Sequence, residues 1–233
     1  MAAKKKTAKR AKTQDGPKPA QQPTAADEQS KEVPPASLDP APMEGETKPP
    51  GPPVAGIGAS AGGLDAFKKF FAAMPPDSGI AFVLVPHLDP AHESLMVELL
   101  ARHTTMPVLE AENDMPVDAN HVYIIPPNKY MTIRGGILRL TGPVERRTSQ
   151  TSIDMFLRSL ADDQQERSIC IILSGTGSHG ALGLKAVKAA GGMAMVQDPA
   201  AAEYERMPQS AIDTGLADYV LSPEQMPDAL IKY

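Results

Sequence analysis

Three short stretches of this chain carry residue types that could do chemistry: "GASAG" at residues 58–62, "VLVPHLDP" at 83–90, and "GTGSHG" at 175–180. The first matches G-x-S-x-G where an apolar segment runs into a helical one. Small neighbours allow a sharp turn that presents the Ser60 hydroxyl. The start of the helix behind it offers free N–H groups and a positive dipole end to a developing oxyanion. A capping role for Ser60 is the plainer alternative. The second stretch places His87 at the end of an apolar strand, and histidine is the usual base for a serine near neutral pH. The third holds His179 inside a glycine turn. Its spacing is also G-x-G-x-x-G, and Asp198 ends the next strand, so a dinucleotide fingerprint is a rival reading. That fingerprint usually opens its domain, whereas here it comes late, and it leaves Ser60 and His87 unused. His87 and His179 lack an apparent third ligand for a metal. His92, His103 and His121 fall in helical or loop contexts and are assigned no chemistry.

These residues need a scaffold, and the apolar pattern supplies one. "VAGIGA", "IAFVLVPH" and "SICIILS" are short apolar runs of strand length. Between them lie segments of helical period, such as the one with Leu64, Phe67, Phe70 and Phe71. "YMTIRGG" and "ILRLTG" read as a hairpin turning at Gly135–Gly136. Strands apolar on both faces, alternating with helices, predict an α/β fold with a mainly parallel sheet covered on both sides. In such sheets, sites form beyond the carboxyl ends of the strands. That rule selects the turns holding Ser60, His87 and His179.

Bulk properties set the limits. The 233-residue chain is 42% hydrophobic, and no apolar run approaches the ~18 residues of a membrane span. Its single cysteine, Cys170, excludes a disulfide framework, suits a reducing compartment, and reads as a small buried hydrophobe. Residues 1–52 are rich in Pro, Lys, Ala and Gln and have no aromatic residue, which predicts a disordered basic leader ahead of a domain at 53–233. Residues 1–50 carry nine Lys/Arg against seven Asp/Glu, for +2. The remaining fourteen against twenty-one give −7, a poor general phosphate binder. No nucleic-acid partner, membrane insertion or secretory signal is expected, and a cytoplasmic location is.

Taken in order, "GIGASAGG", "VLVPHLDP", "HVYIIPPNKYM", "SIDMFLRSLA", "LSGTGSHGALGLKAVKAAGG", "VQDPAAAEYERMPQSAI" and "TGLADYVL" resemble the catalytic domain of CheB-type protein-glutamate methylesterases of bacterial chemosensory systems. The wording is most similar to the versions in CheB–CheR fusion proteins. The resemblance spans Val54 to about Leu230. It implies a three-layer α/β/α fold and hydrolysis of γ-glutamyl methyl esters on chemoreceptors, in some members with glutamine deamidation. It implies no metal or organic cofactor. The implied partners are the cytoplasmic domain of a methyl-accepting chemoreceptor and a CheR-type methyltransferase or another chemosensory protein. By motif, Ser60 would be the nucleophile, His87 its base, and the backbone N–H groups of Ala61 and Thr176 the oxyanion donors.

The family turn reads G-x-G-x-D-G, and its aspartate completes the triad. Here that position is His179, and Ala61 stands where relatives often carry threonine. A triad carboxylate orients the imidazole and stabilises its protonated form. A neutral histidine keeps at most the orientation. Three expectations follow: a slow esterase, an esterase whose acid is another carboxylate (Asp154, Asp114 or Asp198), or a receptor-binding module without activity. Residues 1–52 are also too few for the phosphorylatable receiver domain common in the family, which needs about 100 residues. Gating by a partner or by localisation is expected instead.

Overall fold

A computed structural model describes residues 51–86, 95–142 and 151–233. The strands are β1 (Val54–Ala59), β2 (Ala81–Pro86), β3 (Val108–Glu110), β4 (Met115–Pro116), β5 (Val122–Ile124), β6 (Tyr130–Arg134), β7 (Ile137–Thr141), β8 (Ser168–Ile172), β9 (Met193–Gln197) and β10 (Tyr219–Leu221). The helices are α1 (Gly63–Ala73), α2 (Met96–Leu100), α3 (Ser152–Gln164), α4 (Ala181–Ala189), α5 (Arg206–Ile212) and α6 (Met226–Ile231). Seven strands form one sheet in the order β10-β9-β8-β1-β2-β5-β3, with every neighbouring pair parallel. Parallel strands must be joined by crossovers, and helices on both faces follow from that.

The two faces bury separate apolar sets. Ala55, Ile57 and Ala59 of β1 point with Phe67, Phe70, Met96 and Met226 to the side covered by α1, α2 and α6. Val54, Val83, Ile172 and Val196 point with Ile153, Phe156, Leu184 and Met207 to the side of α3, α4 and α5. Phe70, Phe71 and Phe82 meet edge to face, with centroids 5.0–5.9 Å apart. Each fully buried phenyl contributes about 1.5–3 kcal/mol. This is the expected three-layer α/β/α arrangement.

The glycines of "VAGIGA" have a packing cause. A Cβ at Gly56 would stand 2.8 Å from Leu157 Cδ2, and one at Gly58 would stand 2.5 Å from Ile153 Cγ2. A Cβ at Gly183 of α4 would stand 2.5 Å from Leu157 Cβ. Helix α3 is thus pressed against β1 and α4 at once. Asp154, in its first turn, adds a polar tie: one carboxylate oxygen accepts the Gly183 N–H at 2.9 Å and the other the Thr151 hydroxyl at 2.6 Å. Cys170 is fully buried; burial, with the nearby Asp154 charge, pushes its thiol pKa up, consistent with its reading as a small core residue.

The predicted hairpin is present and is larger than expected, because β4 adds to it in the order β4-β7-β6. Arg134 pairs with Ile137 across Gly135–Gly136, whose φ values of 60° and 70° suit a two-residue turn of the I′ kind. Both turn amides donate to the Asp163 carboxylate of α3, Gly136 at 3.2 Å and Gly135 more closely. Asp163→Ala is expected to cost about 1–2 kcal/mol and lower the melting midpoint by roughly 2–8 °C in a thermal scan. Helix α2 is short: residues 101–103 after it form a turn, and residues 87–94 lie outside the described set.

Candidate active site

The chain runs from β1 to β2 on one side and later enters β8 on the other, so the strand order reverses at β1. A crevice opens at such a reversal beyond the carboxyl ends of the strands. The turns after β1 and β8 both end there, and they carry Ser60 and His179.

Ser60 is 4% exposed and held through its backbone. Its N–H donates to Ser174 O, and its carbonyl accepts from Gly63 N–H, both at 2.9 Å. The residue capping α1 is Gly62, at φ 73°, with no side-chain cap. Ser60 therefore sits ahead of the helix in a tight turn, and the capping alternative does not describe it. The glycine turn packs directly on this serine. A Cβ at Gly175 would stand 2.9 Å from Ser60 Cβ and 2.7 Å from Met207 Sδ.

His179 is half-buried, less open than the turn alone suggests. It lies between Gly177 (φ 83°) and Gly180 (φ 87°), and its Nε2 is 3.5 Å from where a Gly177 Cβ would be. Ala61 and Thr176 lie on the two facing turns. Among the described residues, nothing accepts a hydrogen bond from either N–H. His87 follows β2, next to β1 in the sheet, but lies outside the described residues.

The three other carboxylates have structural partners. Asp154 is 3% exposed and ties α3 to α4 as described above. Asp114 is on the small sheet, paired with Arg139. Asp198 accepts the Ala200 N–H at 2.9 Å, capping the turn after β9. Two of the three fingerprint glycines are likewise accounted for by packing. Gly175 is required by Ser60 and Met207, and a Cβ at Gly180 would stand 2.5 Å from Ile172 Cδ1. Among the described residues, no group of three His, Cys, Asp or Glu side chains could hold a metal ion, and no helix is long and apolar enough to cross a membrane.

A cleft of about 280 Å³ lies beside the glycine turn, lined by Gly175, Thr176 and residues 202–206. That segment is tied to the glycine turn: Gly175 N–H donates to Tyr204 O and Met207 N–H to Gly175 O, both at 3.0 Å. Two buried polar residues here match no catalytic motif in the sequence. Ser174 and Gln197 are 1% and 2% exposed. Their signal was a polar residue at the end of an otherwise apolar strand run, "CIILS" and "MAMVQ".

Comparison with known proteins places the chain in a family. The profile described as CheB methylesterase matches residues 55–230. The chain belongs to the CheB methylesterase family. It is 35% identical over 177 residues to a putative protein-glutamate methylesterase/protein-glutamine glutaminase of Leptospira interrogans, covering 76% of this chain and 92% of that one. It is 35% identical over 200 residues to a protein-glutamate methylesterase/protein-glutamine glutaminase of Burkholderia orbicola, covering 85% of this chain and 57% of that one. An uncharacterized 104.1 kDa protein of Rhodobacter capsulatus is 47% identical over 131 residues, 56% of this chain and 14% of its own length. The chain thus spans little more than half of the Burkholderia protein and a small part of the Rhodobacter one. The crystal structure of the Thermotoga maritima CheB methylesterase catalytic domain superposes with a TM-score of 0.72 at 27% identity, over 78% of this chain and 98% of that one. The CheB fold is therefore the one described above.

Proposed function

We propose that this chain is a protein-glutamate methylesterase that hydrolyses γ-glutamyl methyl esters on a chemoreceptor. The observation that carries the reading is the placement of Ser60. In a member of the CheB family, it stands at the reversal of strand order, packed against the glycine turn. In this reading the Ser60 hydroxyl attacks the ester carbonyl as His87 takes its proton. The tetrahedral intermediate collapses with release of methanol, protonated by the same imidazole. Water then adds to the acyl-serine and the glutamate leaves. The N–H groups of Ala61 and Thr176 stabilise the oxyanion, and donors of this kind contribute about 10²–10³ in rate each. His179 occupies the third position of the triad. The Leptospira and Burkholderia relatives are also named as glutaminases, and glutamine deamidation by the same acyl route is part of the proposal.

The division of labour follows the composition: residues 53–233 carry the reaction and the basic leader, 1–52, does not. The partner is the cytoplasmic, methyl-accepting region of a receptor, and the place of action is the cytoplasm. The test is methanol release from a methylated receptor cytoplasmic domain by the full chain. Release above the no-enzyme rate, with no thermal stabilisation by NAD or NADP, is the expected result. Stabilisation by a dinucleotide without methanol release would overturn the proposal.

A further inference from the structure

We propose that Gln197 and Ser174 form a buried clamp that sets the spacing of the nucleophile turn and the glycine turn, and that both are positioning residues for the reaction at Ser60. This inference rests on the reading of Ser60 as the nucleophile.

Gln197 ends β9 and spends both halves of its amide. Its Oε1 accepts the Ser174 N–H at 2.7 Å, and its Nε2 donates to Ala201 O at 2.9 Å. Only one amide orientation satisfies both contacts. Ser174 is then committed on three sides. Its carbonyl accepts the Ser60 N–H, its hydroxyl donates to Ala61 O at 2.9 Å, and the same oxygen accepts the Tyr204 N–H at 3.0 Å. Three separate chain segments meet at two side chains: the serine turn, the glycine turn, and the loop after β9 that walls the cleft.

The fold alone does not call for polar groups here. The strand interiors around them are aliphatic, and an unsatisfied buried amide or hydroxyl is costly. What the clamp adds is geometry. Ala61, whose carbonyl it holds, and Thr176, two residues beyond Ser174, carry the two proposed oxyanion donors. Their separation depends on how the two turns are tied. A misplacement of about 1 Å at such donors costs roughly 10²-fold in rate. The clamp touches no reacting atom, so its loss should appear in kcat rather than KM.

The test uses the full chain with Gln197→Met, which keeps the side-chain length and removes both hydrogen bonds, and with Ser174→Ala. Leu138→Ala, at the buried position of β7 in the small sheet, is the control for general destabilisation. Three quantities are read: kcat and KM for methanol release, the rate at which a fluorophosphonate labels Ser60 with loss of fluoride, and amide hydrogen exchange of segments 58–62 and 173–177. Both clamp variants are expected to slow labelling and kcat by about 10–100-fold with KM little changed, and to speed exchange in both segments together. Leu138→Ala should do none of these at equal loss of melting temperature. Exchange unchanged in both clamp variants, or losses matched by Leu138→Ala, would overturn the clamp. Coupled exchange in a chain that neither labels nor releases methanol would uphold the structural clamp and sink the esterase reading instead.

Discussion

His179→Asp is expected to raise kcat for methanol release by about 10²–10⁴. When a serine is deprotonated by histidine, the imidazole becomes a cation. A carboxylate behind it holds the ring in the right tautomer and stabilises that charge. Replacing such a carboxylate by a neutral amide costs about 10⁴ in kcat in a serine protease. A neutral imidazole at 179 can retain part of the orientation but none of the negative charge, and a protonated one would repel its neighbour. The backbone accepts the exchange. The positive φ values in this turn belong to Gly177 and Gly180, and 179 is not among the positions that need them. His179 is half-buried, so a shorter aspartate can be accommodated at this position. The measurement is steady-state methanol release with both proteins at matched melting temperature. Equal rates in the two would show that another group supplies the charge. Asp154, Asp114 and Asp198 would then be replaced in turn by Asn.

Ser60→Ala is expected to bring methanol release to the no-enzyme rate, and to do so again in the His179→Asp background, where the drop is largest. Removing the nucleophile of a serine hydrolase costs about 10⁶ in kcat when the rest of the triad is intact. Without the acid the measurable fall is smaller, because there is less to lose. The two substitutions are therefore strongly non-additive, as members of one catalytic unit are. Folding should be nearly unaffected. The backbone N–H and C=O of residue 60 tie it to Ser174 and Gly63, and the contact facing Gly175 is made by its Cβ. Alanine keeps all of these. A Ser60→Ala protein that melts normally and still releases methanol would exclude Ser60 as the nucleophile.

The small sheet shows how far local pattern reaches. The Gly135–Gly136 turn was legible because two residues at positive φ between apolar runs have few alternatives. The partners of that turn were not legible. Asp163 lies 27 and 28 residues away, and nothing near it in sequence points to a hairpin. The same contrast holds at the site. Gly58 read as part of a G-x-S-x-G elbow, yet its missing side chain makes room for Ile153 of α3. Gly175 and Gly180 read equally well as a nucleotide fingerprint. Only their neighbours, Ser60, Met207 and Ile172, show the packing that excludes a side chain at each.

Hydrophobic periodicity and glycine punctuation are local properties, so the sequence by itself determined the α/β class, the parallel sheet, the strand-end turns and the three residues singled out on them, Ser60, His87 and His179. It also determined that a histidine stands where a carboxylate is expected, a fact of composition that folding cannot alter. Tertiary structure decided what depends on long-range contact. It set which strands flank β1, that the turns after β1 and β8 share one crevice, and that Asp154 is engaged between α3 and α4. It also decided that Ser174 and Gln197, separated by 23 residues, join across β8 and β9 beneath the serine. Hydrogen bonds between distant residues leave no periodic trace in a sequence, because their partners are chosen by the fold and not by spacing along the chain.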